Sequence, residues 1–271
     1  MAETVLITGA SSGLGLEFAR IFAAEGYDLV LAARSVDKME QIAGELRKSR
    51  DAAGSSSSGT RQQRIEVIFA DLSGHDGASR LYLEIKRRGI RIDQLVNNAG
   101  AGKAGRTVDL DPDVMTGLVS LNVSSVALLC RLFGHDMVSR GSGRILNIAS
   151  TTAFFPDPYF NVYGPSKAFV LSLTEAMSGE LKGTGVTVTA LCPGPVRTNW
   201  AVNAGKDYPA LAADPTRVAL AGYKAMQKGR LCCIPTPFSA AGAMLGPLLP
   251  KPLQVSIGAW WQKKMIRRKT G

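Results

Sequence analysis

One α/β domain built on a doubly wound parallel sheet of about seven strands is the fold class this sequence predicts. Three observations predict it. Short apolar runs alternate with longer helix-patterned segments. The runs are near-continuous in Val, Ile and Leu, as expected of strands covered by helices on both faces. The first run ends in a glycine-rich turn that opens a helix.

In order, the predicted strands are VLIT (5–8), LVLAA (29–33), IEVIFA (65–70), QLVNNA (94–99), RILNIAS (144–150) and VTVTALC (186–192), with LCCI (231–234) as a seventh. Helical patterns of suitable length lie between them, such as Leu14–Glu25 and Asp37–Lys48. DAAGSSSSGT (51–60) reads as a flexible surface loop by composition. Residues 1–235 form the expected catalytic and nucleotide-binding unit, and 236–271 an apolar, then basic, extension.

A chain of 271 residues with 45% apolar content is large enough for one α/β core and excludes collagenous, disordered and disulfide-stapled classes. Cys130, Cys192, Cys232 and Cys233 show no metal-ligand spacing, so free, buried thiols in a reducing compartment are expected. The first apolar run, Val5 to Ile7, is too short for a signal peptide, and the expected location is cytoplasmic. His75 and His135 match no motif and are expected at the surface. The formal net charge of +10 has a place. Residues 1–214 balance, whereas residues 215–271 contain ten Lys or Arg and no acid.

Chemistry-bearing residues fall into two groups. Gly9, Gly13 and Gly15 form a GxxxGxG turn, with Ser11, Ser12 and Leu14 between them. Such a turn lets backbone and helix N-terminus approach a pyrophosphate, where free N–H groups and the helix dipole favour anions. About twenty residues on, an acid that would bind a ribose 2′-hydroxyl is missing near Ala33, and Arg34 stands beside it, able to hold a 2′-phosphate. This points to NADP(H). In the second group, Tyr163 and Lys167 are spaced i, i+4 in YGPSK (163–167), thirteen residues after Ser150. A phenol of ordinary pKa near ten is a poor proton shuttle, and an ammonium on the same helix face is expected to lower it. Ser150 ends its strand and is expected to hydrogen-bond a substrate oxygen. Together these read as a site that moves a hydride and a proton between a nicotinamide and a carbonyl.

TGASSGLG (8–15), NNAG (97–100), Asn122, Ser150 with YGPSK (163–167), and PGPVRT (193–198) occur in that order. On these motifs the chain resembles the short-chain dehydrogenases/reductases over roughly residues 3–235. The resemblance implies a single-domain Rossmann fold and a catalytic set of Asn122, Ser150, Tyr163 and Lys167. It places Asn98, Ala99 and Gly100 at the adenosine ribose, with Asn97 holding the sheet together. Asp71 falls at the adenine contact, or else caps a turn. Lys167 is implied at the nicotinamide ribose, and Asn122 at a water in the proton relay. Pro193, Gly194, Val196 and Thr198 are implied around the nicotinamide. Segment 199–214, with Trp200, Tyr208 and Leu211, becomes a substrate lid for an apolar molecule, and Phe154, Phe155 and Tyr159 are candidates for the same pocket.

The expected function is therefore an NADP(H)-dependent oxidoreductase of a carbonyl or secondary alcohol. A 3-oxoacyl-thioester reductase is one alternative, and a non-catalytic NADP sensor on the same fold is another. The resemblance further implies a homodimer or homotetramer paired through the helix of Tyr163, with Ala168, Leu171, Leu173 and Ala176 on its outer face. No nucleic-acid partner is expected. Beyond Ile234 the family pattern gives no guidance. Leu253, Ile257, Trp260, Trp261 and Met265 recur at helical spacing beside Lys263, Lys264, Arg267, Arg268 and Lys269. The favoured reading is a helix packing its apolar stripe on the core or a neighbouring subunit. Contact with an anionic membrane or an acidic acyl carrier is the alternative.

Overall fold

A computed structural model describes residues 2–52, 63–160, 162–207 and 212–266. Among these residues the sheet has seven parallel strands: β1 (Thr4–Thr8), β2 (Asp28–Ala33), β3 (Ile65–Phe69), β4 (Gln94–Asn97), β5 (Gly143–Ile148), β6 (Val186–Leu191) and β7 (Cys232–Cys233). Each ends within about two residues of its predicted run. The helices are α1 (Gly13–Ala24), α2 (Val36–Ala52), α3 (Gly77–Arg87), α4 (Pro112–Val119), α5 (Ser125–Arg140), α6 (Tyr163–Glu180), α7 (Asn199–Asn203), α8 (Pro215–Gln227), α9 (Pro237–Leu245) and α10 (Lys251–Met265). Most of the predicted loop at 51–60, the lid residues Tyr208 and Leu211, and the cations Arg267, Arg268 and Lys269 lie outside the described residues.

Strand order is β3-β2-β1-β4-β5-β6-β7, so the winding reverses between β1 and β4. Alternate side chains of each strand feed two apolar layers, which is why the runs are continuous rather than alternating. Leu6, Leu95 and Ile145 pack with Leu81 of α3, Phe133 of α5 and Val170 of α6. Val5, Ile7 and Leu146 pack on the opposite face with Phe18 and Phe22 of α1, Met39 of α2 and Val218 of α8. The chain thus leaves β1 toward one face and β4 toward the other, opening a crevice at their carboxyl ends.

Polar side chains inside the first layer form a linked chain. Asn97 Nδ2 donates to Asn147 Oδ1 at 2.9 Å, Asn147 Nδ2 to Thr174 Oγ1 at 2.9 Å, and Thr174 Oγ1 to the Val170 carbonyl at 2.7 Å. Asn97 therefore ties β4 to β5 and, through Asn147, to α6, the sheet-holding role expected of it. Between α4 and α5 a π turn, Ser120–Ser124, keeps the helical run continuous from Pro112 to Arg140. By length and composition that run is apolar enough to cross a membrane, but it lies against the sheet with Asn122 fully buried in its middle.

One expectation about helix faces is corrected, and a second in part, since the α10 stripe does not lie on the chain's own core. Leu171 of α6 points into the core rather than outward; the outer surface carries Phe169 and Ala176. In α10 the inward face is Gln254, Gln262 and Met265, while Leu253, Ile257, Trp260 and Trp261 are exposed. The reason is the surface beneath it, which is polar: Gln254 Nε2 donates to the Leu249 carbonyl at 2.7 Å, and Gln262 Nε2 donates to the Asp157 carboxylate. A Cβ at Gly258 would lie 2.8 Å from the Pro156 carbonyl oxygen, so only glycine lets α10 settle this close.

Removing the Asn147 amide should orphan its buried partners on β4 and α6. Asn147→Ala is expected to cost about 2–4 kcal/mol, read as a lower urea midpoint at unchanged slope.

Candidate active site

The carboxyl ends of the strands open into one cavity of about 780 Å³. Its walls bring together Gly9, Ser11, Ser12, Gly13 and Leu14, then Arg34, Asp71, Asn98–Gly100, Ser150, Tyr163 and Lys167, and finally Pro193, Gly194, Val196 and Thr198. Two predicted residues stand behind the wall instead. Gly15 packs under the turn, where a Cβ would meet the Gly9 carbonyl oxygen at 2.3 Å and Asn98 Nδ2 at 2.6 Å. Asn122 Nδ2 donates to the Ala101 carbonyl at 2.8 Å and to Ser166 Oγ at 3.2 Å, while its Oδ1 accepts from Ala101 N at 3.0 Å. Asn122 thereby holds the strand-exit segment against α6, and the π turn is what aims it there.

The nucleotide end has the features a dinucleotide needs. Gly9 adopts φ +65, and a Cβ there would stand 2.9 Å from Ala99 Cα. Ser12 caps α1 in an extended conformation with no side-chain hydrogen bond, so the first amides of α1 keep their capacity for an anion. Arg34 is exposed on the cavity wall at the end of β2. Asp71 caps its turn, the second of its two expected readings, and also lines the cavity. Its Oδ1 accepts from Ser73 Oγ at 2.6 Å and from Ser73 N at 3.0 Å. Those two bonds hold the carboxyl below its ordinary value, with Arg34 and Arg80 adding to the effect.

At the other end, Ser150 closes β5. Its Oγ accepts from Thr152 N at 3.2 Å and lies on the same cavity wall as the Tyr163 phenol. Burial pushes the phenol above its ordinary value, and the Ser150 hydroxyl acts against that rise. Lys167 Nζ donates to the Ile148 carbonyl at 2.7 Å and stands 5.5 Å from the centre of the Tyr163 ring. Burial pulls this lysine down to about 8. The net shift of the phenol is thus upward, set by burial, and the ammonium is not among its causes. Both groups lie in a low-dielectric wall that disfavours either charge, and the lysine is held on a backbone carbonyl instead of the phenol oxygen.

An aromatic cluster flanks the pair. Tyr163 lies 4.7 Å from Trp200 and 4.9 Å from Phe160 between ring centres, and Trp200 Nε1 donates to the Gly100 carbonyl at 3.1 Å. Phe155 lines the cavity as expected; Phe154 packs on the core. Tyr159 takes φ 64, which turns it off the wall and puts the buried Phe160 there instead. Other wall residues the motifs did not reveal are Asp157, Lys206, Gln254 and Gln262. Their one sequence signal is polarity in apolar company: an acid within FFPDPYF (154–160), and two glutamines at either end of the mostly apolar stretch QVSIGAWWQ (254–262). Burial raises the Asp157 carboxyl to about 6 against the pull of Lys206 and the hydrogen bond from Gln262.

The fold and the site define a nucleotide-dependent oxidoreductase. The family model described as short chain dehydrogenase matches residues 3–209, and the chain belongs to that family. Among relatives, a monensin polyketide synthase putative ketoacyl reductase of Streptomyces virginiae is 35% identical over 224 residues, covering 81% of this chain and 80% of its own. A short-chain dehydrogenase from Sphingobium yanoikuyae, solved in complex with NADPH, superposes with a TM-score of 0.78 at 30% identity, covering 99% of this chain and 98% of that one. The bulky-bulky ketone specific alcohol dehydrogenase of Comamonas testosteroni gives 0.75 at 28% identity, covering 99% and 96%.

Asp157 makes a pH prediction. Its folded value of about 6 lies above the ordinary 3.8, so the folded chain binds this proton more tightly than the unfolded one. Stability then falls as pH rises from about 4 through about 6, and stays lower above that window. Asp157→Asn should be more stable than the parent near pH 7.5 by up to about 3 kcal/mol, and equal to it near pH 4. Paired denaturant titrations at the two pH values check this.

Proposed function

We propose that this protein is an NADP(H)-dependent oxidoreductase acting on the carbonyl or secondary alcohol of an apolar small molecule. One observation carries the reading: Ser150, Tyr163 and Lys167 face the same cavity as the glycine turn, on the opposite end of its wall. The glycine turn, Lys167 and the 193–198 loop would hold a nicotinamide dinucleotide, which would supply the hydride. The chain supplies the proton. Because burial favours the neutral phenol, Tyr163 enters the reducing direction carrying the proton it gives to the substrate oxygen. Ser150 steadies that oxygen with its hydroxyl. Lys167, drawn down to about 8, exchanges its own proton near neutral pH and so can restore the phenol. Asn122 orders the Ala101 and Ser166 contacts that frame this path.

Arg34 on the cavity wall, with no acid at the end of β2, supports NADP(H). Solved relatives carry NADPH in one case and NAD in another, so the preference is read from this chain's own residue. Phe155, Phe160, Trp200 and Trp261 on the wall support an apolar substrate. A 3-oxoacyl thioester remains the second reading, favoured by the likeness to a ketoacyl reductase. With tyrosine, lysine and serine all on one cavity, a purely sensing role is disfavoured. We also propose pairing through α6 and its exposed Phe169.

Tyr163→Phe should lower kcat at least about a thousandfold while NADPH titration by nicotinamide fluorescence stays near the parent value. Wild-type turnover in that variant would overturn the chemistry. NADPH should bind at least about tenfold tighter than NADH, and Arg34→Ala should erase the difference, about 1.4 kcal/mol. Sedimentation should show a dimer or tetramer at micromolar concentration that Phe169→Asp weakens.

A further inference from the structure

The segment from Phe238 to Trp261 has its amphipathicity inside out. Buried positions of α10 are glutamines and one methionine, whereas large apolar side chains face solvent. Leu248 is 78% exposed and Trp260 62%, with Phe238, Met244, Leu245 and Leu253 also open. More than half of the large exposed apolar residues among the described ones lie in this short stretch and at Leu231 just before it. Soluble surfaces rarely gather so many, and such a patch marks an interaction face.

Charge decides what covers it. Lys251, Lys263 and Lys264 are exposed on α10, the sequence continues with Arg267, Arg268 and Lys269, and no acid follows Asp214. A second copy docked by the same face would set these cations against their own equivalents, which repels. An acidic carrier protein would match the charge but would leave the broad apolar area unexplained. An anionic bilayer satisfies both, since apolar side chains enter the acyl boundary while lysines meet headgroup charge. The paired indoles of Trp260 and Trp261, 6.4 Å apart with Lys264 Nζ 5.5 Å from the Trp260 ring, suit that interface.

We propose that α9, the Gly246–Leu248 turn and α10 form a docking face for an anionic lipid surface. Placement gives the face a purpose. Phe238, Leu249, Ile257 and Trp261 belong both to the exposed patch and to the cavity wall, so the docked protein turns the cavity mouth toward the membrane. Delivery of an apolar substrate from the bilayer rests on the function proposed above; docking itself does not.

The test is co-sedimentation of the full chain with phosphatidylcholine vesicles, with and without phosphatidylglycerol, at low and high salt. Wild type should partition at least about tenfold more onto the anionic vesicles, and salt should weaken this. Leu248→Asp/Trp260→Glu changes two exposed residues that lie off the cavity wall; it should lose about tenfold or more of the binding at unchanged melting temperature. Absence of binding to anionic vesicles at low salt overturns the proposal, as does equal binding to both lipids. Dissociation of an oligomer in the double variant would assign the face to a second copy. Binding to an acidic carrier protein without vesicle binding would assign it to that partner. None of these readouts needs turnover, so a failed reaction and a failed docking face are told apart.

Discussion

Where β1 ends, its last residue is fastened to the first residues beyond β4. Thr8 Oγ1 accepts from the amides of Asn98 and Ala99, each at 3.0 Å, and donates to the Val96 carbonyl at 3.3 Å. Asn98 Nδ2 returns a bond of 2.9 Å to the Thr8 carbonyl. These contacts span the point at which the sheet changes direction, and without them the crevice would have two independent lips. With them, the glycine turn, the Asn98–Gly100 segment and the start of α1 form one rigid floor. Gly15 completes the floor because the carbonyl of Gly9 occupies the space a side chain would need.

The reactive groups stand on that floor in a wall designed to resist charge. Lys167 is buried and Tyr163 half-buried, and desolvation moves each toward its neutral form from opposite directions. A phenol and an amine in that condition form a proton donor and a proton exchanger rather than a fixed ion pair. Ser150, on the same cavity wall, acts on the same balance from the substrate side.

Legibility of the sequence followed contact range. Strand runs, the glycine turn and the Tyr163/Lys167 spacing are local patterns, and each is where the pattern put it. The sign of the Tyr163 shift was not readable, because it depends on how completely α6 is covered. Nor was the partnership of Asp157 with Gln262, which are 105 positions apart in the chain. The face of α10 misled for the same reason: spacing shows which residues share a side, while the polarity of what lies beneath decides which side turns in. Tyr159 and Phe160 were exchanged by a single left-handed residue, a backbone choice no side-chain pattern encodes.

The π turn at Ser120–Ser124 has an evolutionary corollary. A wider turn accommodates one more residue than the α-helix around it, so Asn122 can face the site while the flanking stretches keep their own apolar sides on the sheet. Each residue of an α-helix advances the direction of its side chain by about 100°. Losing that one extra residue would close the turn to α geometry and leave Val126, Leu129 and Phe133 on the core, while changing the aim of the residues within the turn. The extra residue therefore serves the site rather than the core, and homologous chains that dispense with it are expected to lose the Asn122 contacts to Ala101 and Ser166 before they lose the fold.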